Sequence, residues 1–484
     1  MGKSASDSLL KRIKNAPETV KATLVFGIAS FATSGLRYVL TPVFTRLLTT
    51  SEYGIVGIYN SWYSIIQVVL SITLIYPGIL NVGLYEHKDS RWNYLSNMLG
   101  LITTVSLGSI IIYSLFHVFV NSVIGIPGSL VVLMLITCTF QPAMNLWTAK
   151  QRYEYKYKST FLVTVGSAII AQIISVAVVL YKMGSGDNLA SVRLWSAGTV
   201  NIITAFCIYI LIFTRGKQFY NKSLWKETIL VAIPLIPHYL SYVVLNSTDK
   251  IMIGQMIGID KAGIYNLTAV LSSIGVLFWR ALLTTFSPFV NTKLGERKYD
   301  EIRAVIKPLW FFTGGFCVLG AVLSPEIVRV FGSKEYLEGI YVVPPIVAGI
   351  FTYAMYDAFA SVSFFHKKSF NIMIASVTAA ISNIIMNYFG ILKFGYVAAG
   401  YTTLFSHLIL IAMHYRNIRA IEKEKIYDGK VAMLYLAVIT LACFSCVFLY
   451  PLFPLYRYIL AFCILVMLAS KYKLLINAIA SMKV

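Results

Sequence analysis

Apolar residues run along this chain in long unbroken blocks. Strands would alternate apolar and polar positions, and a soluble helix would carry an apolar stripe on one side only. Leu101–Val120, Thr160–Tyr181, Phe370–Leu392 and Val431–Tyr450 are examples. Each reaches the roughly 20 residues a helix needs to cross about 30 Å of hydrocarbon. Lipid offers no partner to the backbone, so such runs read as helices. The short alternating segments of a membrane barrel are not seen. Fourteen spans are predicted: 24–47, 55–82, 98–120, 128–148, 159–181, 195–214, 227–249, 264–290, 306–331, 340–365, 370–392, 395–415, 431–450 and 455–473. The connections are short and leave no room for a folded soluble domain. The fold class is all-α and polytopic.

Composition agrees. The chain has 484 residues, 58% hydrophobic and 13% charged, where a soluble protein carries about 25% charged. The polar, basic segment 1–23 leads into an apolar run too long for a signal peptide, so that run is expected to stay as the first span. A myristoyl group on Gly2 would add little to a protein that already crosses the membrane many times. The six cysteines sit in apolar runs. Cys443 and Cys446 form a CxxC without a second pair, so all six read as small hydrophobes. Neither a metal-ligand pattern nor a glycine-rich phosphate loop is found, so no cofactor and no direct use of ATP is expected.

The net charge of +21 raises the question of nucleic acid. Placement answers it. Lys11, Arg12 and Lys14, then Lys150, Arg152, Lys156 and Lys158, then Arg215, Lys217, Lys222 and Lys226, then Lys293, Arg297, Lys298 and Arg303, and finally Arg416, Arg419, Lys423 and Lys425 all fall on one side. That is the cytoplasmic bias of basic loops, with both termini cytoplasmic. These bases meet membrane lipid headgroups. No base-stacking groove or motif accompanies them, so nucleic acid is excluded.

The tetrapeptide GIYN occurs at Gly57–Asn60 and at Gly263–Asn266, a spacing of 263 − 57 = 206. YKSTF (Tyr157–Phe161) and KKSF (Lys367–Phe370) give 368 − 158 = 210 when Lys158 is matched to Lys368. Both anchors hold the same place in the span order. The chain therefore reads as an N-lobe, 24–214, a C-lobe, 215–415, and a C-terminal pair of spans within 416–484. Six spans per lobe is even, so the lobes share one orientation. A pseudo-twofold along the membrane normal is expected, with a substrate path between the lobes.

At these residues the chain resembles a known family. The stretches are Pro42, Thr45, Arg46, Leu47 and Leu48 before Glu52–Tyr53–Gly54; Asp249–Lys250 before Ala262–Gly263–Ile264–Tyr265; FGSKEY at Phe331–Tyr336; and Asn383–Asn387 with FGYVAAG at Phe394–Gly400. In order and spacing they resemble the polysaccharide (O-antigen or capsule, Wzx-type) flippases of the multidrug/oligosaccharidyl-lipid/polysaccharide (MOP) exporter superfamily. The resemblance implies a V-shaped two-lobe fold, alternating access and a basic central cavity. It also implies export of an undecaprenyl-diphosphate-linked oligosaccharide from the inner to the outer leaflet of a bacterial cytoplasmic membrane. Polymerase and chain-length machinery of the same pathway are then the expected protein partners.

Such a cargo defines the chemistry required. Its lipid tail can stay in the bilayer, but the diphosphate and glycan need a hydrated basic path. Arginine suits a diphosphate because its planar fork donates two hydrogen bonds at once. Arg37 and Arg280 fall near the middle of spans 1 and 8, and a charge there faces a cavity or a partner. Arg46 is carried over from the family pattern; snorkelling or pairing with Glu52 is its plainer role. Arg37 and Arg46 are nine residues apart and face opposite sides of an ideal helix, unless Pro42 bends it. Lys250 is the second-lobe counterpart of Arg46, and Asp249 beside it reads as a cap or gate. Asp357 in span 10 either binds a coupling Na+ or H+ or pairs with Arg280. Transport is expected to draw on such an ion gradient or on the membrane potential. His238 and His407 lie at mid-depth and read as core. Pro234, Pro237, Pro77, Pro344 and Pro345 mark bends.

Three rivals remain open, the third being a peptidoglycan-precursor flippase of the same superfamily, which differs in its glycan and not in the physics required. A cation-coupled drug antiporter of the same superfamily would favour carboxylates in its lobes, whereas the deep charges here are two arginines and one aspartate. A membrane polymerase or ligase would display a large outer loop with catalytic groups. The longest outer loop, near Lys182–Leu194, is short and has no acid–base set. A non-enzymatic transporter is the expectation.

Overall fold

The computed structural model describes residues 17–482 and is helical throughout, with no strand among the described residues. Lys11, Arg12 and Lys14 lie outside the described residues. The helices are α1 Glu18–Leu47, α2 Thr50–Leu70, α3 Pro77–Glu86, α4 Arg91–Ile124, α5 Gly128–Tyr153, α6 Tyr157–Lys182, α7 Leu189–Gly216, α8 Lys222–Ala232 and α9 Ile236–Met256. There follow α10 Ile259–Gly295, α11 Tyr299–Val322, α12 Ser324–Phe331, α13 Val343–Phe365, α14 Ser369–Phe394, α15 Ala398–Ile421, α16 Gly429–Ser445, α17 Pro454–Ser470 and α18 Tyr472–Ser481.

Every predicted span falls mostly on helix. By length and composition eleven helical stretches can cross a membrane, and the bent pair α17–α18, turned by 44°, makes up to twelve. Two of the fourteen predicted spans do not reach that standard. Span 2 is divided by a break at residues 71–76 into α2 and α3. Span 12 corresponds to α15, whose His407, His414, Arg416, Asn417 and Arg419 dilute its apolar character.

Contacts divide the chain into two compact units. One takes Met1–Leu48 and Trp62–Tyr239, the other Thr49–Ser61 and Leu240–Val484. Helices α2 and α9 each pass from one unit into the other. In the first unit α5 packs against α4, α6 and α7, and its most apolar window is 61% buried. In the second, α13 packs against α10, α11, α15 and α16 and its window is 78% buried. Such a helix needs apolar residues all round, and the run VPPIVAGIFTYAMYDAFASVSFF supplies them.

The repeat is visible inside the second unit, in a different register from the tetrapeptide match. A Cβ on Gly54 would stand 1.9 Å from the Ile259 carbonyl oxygen, and one on Gly263 would stand 1.9 Å from that of Thr50. The contact is reciprocal, and 263 − 54 and 259 − 50 both equal 209. Gly54, not Gly57, is therefore the partner of Gly263, and Gly57 packs on Asn266. The second anchor shifts as well. Tyr155 and Lys367, both at positive φ, close α5 and α13 with the same pair of backbone bonds, so Lys156 rather than Lys158 matches Lys368.

The C-terminal pair is tied to the second unit by a buried charge. Arg457 of α17 is 2% exposed and donates from Nη2 to Glu326 of α12 at 2.6 Å. Its Nη1 reaches the carbonyls of Leu449 and Tyr450 at 3.2 and 3.3 Å. Tyr450 in turn donates to the Ala321 carbonyl.

At the turn after α5, Lys150 (2% exposed) and Lys156 contact Glu154 at 2.6 and 2.7 Å, and Lys150 also lies over the Trp92 ring. Burial pushes the Glu154 carboxyl up, but the hydrogen bonds from Lys150 and Lys156 outweigh it and hold it below the ordinary carboxylate value. A depressed carboxylate contributes stability above its unfolded value and loses it as pH falls through the folded one. Glu154→Gln should therefore lower thermal stability at neutral pH by about 1–3 kcal/mol, read by melting in detergent. The gap should close in acid, where the wild-type carboxyl is protonated. Gly54→Ala and Gly263→Ala should each cost about 1–3 kcal/mol by overpacking, whereas alanine at Gly27, which has open space around it, should be silent in the same melt.

Candidate functional site

Two polar groups lie deep in the second unit, and both are built on α9 and α10. Arg280 and Trp279 are neighbours on α10 and point to different partners. Trp279 is fully buried, and its Nε1 donates to Asp357 Oδ2 on α13 at 3.1 Å. Arg280 is exposed although it lies within an apolar helix. Its Nη2 donates to the Tyr242 hydroxyl of α9 at 3.2 Å, and Tyr353 of α13 lies beside it. An arginine has five N–H donors in a fixed fork. Holding it from the tyrosine side leaves the fork able to bind an oxyanion.

The second group surrounds Asp249, which is 4% exposed on α9. Its Oδ2 accepts from the Tyr265 hydroxyl at 2.5 Å and from Thr403 Oγ1 at 2.9 Å. Its Oδ1 accepts from Asn387 Nδ2 at 2.7 Å. Asn387 also donates to Asn383 Oδ1 at 3.2 Å, and Thr402 donates to Asn387 Oδ1. Four helices, α9, α10, α14 and α15, thus converge on one carboxylate through neutral groups. These donors compensate a buried charge without a guanidinium. The oxygens present — carboxylate, amide and hydroxyl — are those a hard monovalent cation takes, and the amide orientations are set by the hydrogen bonds assigned.

The remaining sequence candidates are placed as follows. Arg37 and Arg46 are both exposed on α1 in the first unit, with Pro42 inside the helix between them. Arg46 Nη1 donates back to the Pro42 carbonyl at 2.9 Å. Glu52 closes a capping box at the start of α2: its carboxylate accepts from Thr49 N and Oγ1, and its own N–H bonds Thr49 Oγ1 at 3.2 Å. Lys250 is half-buried next to Asp249. His407 is buried against Gly349, as a core residue.

Sequence reasoning missed Tyr242, Tyr265, Thr402 and Thr403. One signal was present. Asn383 and Asn387 are four apart, hence on one face of a helix, and a two-amide face in an apolar span needs a polar partner.

Comparison with known proteins fits this construction. The family model described as "Polysaccharide biosynthesis protein" matches residues 19–290. The "Lsg locus putative protein 1" of Haemophilus influenzae is 20% identical over 283 residues, covering 57% of this chain and 67% of that protein. Among solved structures, an inward closed form of the lipid II flippase MurJ superposes with a TM-score of 0.66 at 15% identity, covering 93% of this chain and 98% of that one. An inward-facing multidrug resistance MATE family transporter of the MOP superfamily follows with 0.59 at 11% identity, covering 84% and 99%. The fold is thus that of MOP-superfamily transporters, in a multi-pass membrane protein. The chain belongs to the polysaccharide biosynthesis protein family.

The two groups make a separable prediction. Trp279→Phe removes the donor to Asp357 and leaves a cavity in place of one ring, so melting in detergent should show a loss of about 2–4 kcal/mol from the unsatisfied carboxylate and the cavity together. Tyr242→Phe, at the exposed arginine, should leave the melt within about 0.5 kcal/mol of wild type.

Proposed function

We propose that this protein flips an undecaprenyl-diphosphate-linked oligosaccharide from the inner to the outer leaflet of a bacterial cytoplasmic membrane, for assembly of a cell-surface polysaccharide. The observation that carries this reading is Arg280, an exposed arginine deep in an apolar helix and held on one side by Tyr242. Family membership and the likeness to a lipid II flippase support it. A guanidinium at that depth is costly. The charge it meets in turn should be an anion that must pass, and a diphosphate is one. Arg37 and Arg46 in the first unit and Lys250 in the second supply further positive charge, and aromatic and hydroxyl groups serve the glycan. The protein performs no bond-making step and needs no cofactor.

Asp249 is the coupling site in this reading. A proton or Na+ taken up by the carboxylate replaces donors now supplied by Tyr265, Asn387 and Thr403. That exchange shifts α9, and α9 also carries Tyr242. Asp249 and Tyr242 are seven residues apart, two turns along one helix face. Ion binding and the hold on Arg280 are thereby linked through one rigid element. Asp357, bonded to Trp279, is the secondary candidate, and Glu52 belongs to the helix cap.

The test is transport in proteoliposomes loaded with undecaprenyl-diphosphate-linked oligosaccharide. Arg280→Ala should lower the flipping rate roughly 10- to 100-fold, the size of a hydrogen bond to a charged group. Asp249→Asn should flip at a low rate that no longer responds to a Na+ or pH gradient. Unchanged rates in both variants, or gradient-driven export of cationic drugs from the same vesicles, would replace this reading with the antiporter.

A further inference from the structure

The break between α2 and α3 has a geometry that its own sequence does not call for. Helix α2 closes at Leu70 with Ile72 N–H bonded to the Val69 carbonyl and Thr73 N–H to that of Val68. This is the Schellman pattern, in which the turning residue takes a left-handed conformation and is usually glycine. Here the residues at positive φ are Ile72 (46°) and Thr73 (59°), two consecutive β-branched residues. β-Branched residues are the least suited to that region. Elsewhere the chain uses the same closure at Tyr155, Arg297 and Lys367, all unbranched at Cβ and each followed at once by a lysine. The hydroxyls of Ser71 and Thr73 are 1% and 0% exposed and make no hydrogen bond. In a continuous helix each has a ready acceptor four residues back, as Ser61, Thr103 and Thr139 find here.

The repeat shows what the unbroken alternative looks like. In the register fixed by the glycine crossing, Thr50–Glu86 corresponds to Ile259–Gly295, since 50 + 209 = 259 and 86 + 209 = 295. The second stretch is α10, a single helix of 37 residues. The first has the same length and is interrupted. The break at Ser71–Tyr76 begins at the repeat position of Arg280, since 71 + 209 = 280. Pro77 marks the bend expected from the sequence and starts α3 after an extended Tyr76, but a proline does not by itself forbid a continuous helix, since Pro42, Pro142, Pro288 and Pro308 all sit inside unbroken helices of this chain.

The broken segment also touches a second interruption. Tyr76 stacks on Tyr239 with ring centroids 4.1 Å apart and planes 19° apart. Tyr239 follows the 3-10 turn Ile233–Leu235 and Pro237, where α8 gives way to α9. Leu235 and Ile236 pack on the same apolar cluster as Ile72 and Leu74. The two breaks are in contact through a ring stack and a shared core.

We infer that residues 71–76 are a two-state element: a broken helix in this conformation that zips into one continuous helix, Thr50–Glu86, in another, with the Tyr76–Tyr239 stack tying its state to the bend before α9. Zipping relieves two left-handed β-branched residues and satisfies two buried hydroxyls. The broken form is retained by the stack and by the burial of Ile72 and Leu74. The inference goes beyond the flippase reading and does not depend on which lipid is carried.

The test is a distance measurement in lipid nanodiscs. Spin labels go on Val69→Cys and Tyr85→Cys, both exposed positions flanking the break, with the six native cysteines replaced by alanine. Wild type should give two populations by double electron–electron resonance, one near about 24 Å, the rise of 16 helical residues. Glycine favours a left-handed turn and disfavours helix, so Ile72→Gly with Thr73→Gly should deplete that population about tenfold or more. Alanine favours helix and gains nothing at positive φ, so Ile72→Ala with Thr73→Ala should enrich it. A single, unchanged distance in all three proteins overturns the inference, as does a shift of the glycine and alanine pairs in the same direction.

Discussion

Hydrocarbon satisfies no hydrogen bond, and most polar features of this protein follow from that constraint. Asp249 is buried only because a tyrosine, an asparagine and a threonine from three other helices point at it. Arg457 is buried only because Glu326 and a set of helix-end carbonyls receive its donors. Arg280 differs. It is equally deep in sequence, yet it is held by the neutral hydroxyls of Tyr242 and Tyr353, and its side chain remains exposed. A charge that the fold holds without enclosing is the feature on which the functional account turns.

The same constraint explains why a repeat is useful. Two long helices can approach until backbone meets backbone only where side chains vanish, and Gly54 and Gly263 provide that at matched positions. Close approach fixes the register of α2 against α10 within the second unit more firmly than apolar packing alone, since lipid tails are as apolar as leucine. With the register fixed, one half can keep a helix whole while the other breaks it, and α10 and α2–α3 differ in that way. The C-terminal pair is held by an ion pair and a tyrosine, so it is attached through specific polar contacts as well as through its apolar flank.

Much of the fold was legible in the sequence. The apolar blocks gave the helices because length and hydropathy are local properties, and every predicted span lies mostly on helix. The breakdown came where tertiary structure overrides local preference. Pro77 signalled a break in span 2, but nothing in SITLIY places the helix end as early as Leu70, because Ile72 and Thr73 are poor at stopping helices. The repeat was found through identical letters, yet contacts and turns set its register, and these shifted it by three residues at one anchor and two at the other. For the site, intramembrane rarity singled out Arg37, Arg280 and Asp357, and Asp249 was named only as a cap or gate beside Lys250. Their partners could not be named, because Tyr242, Tyr265, Thr402 and Thr403 are ordinary residues until the fold brings them to a charge.

The most direct measurement is on cells depleted of this protein. Their lipid-linked sugars would be extracted and sized by mass spectrometry, with the leaflet of each species probed beforehand by an impermeant glycan-binding reagent. The account predicts complete oligosaccharide units on undecaprenyl diphosphate, accumulated and confined to the inner leaflet. Normal levels of these lipids, or complete units reaching the outer leaflet at the usual rate, would contradict it.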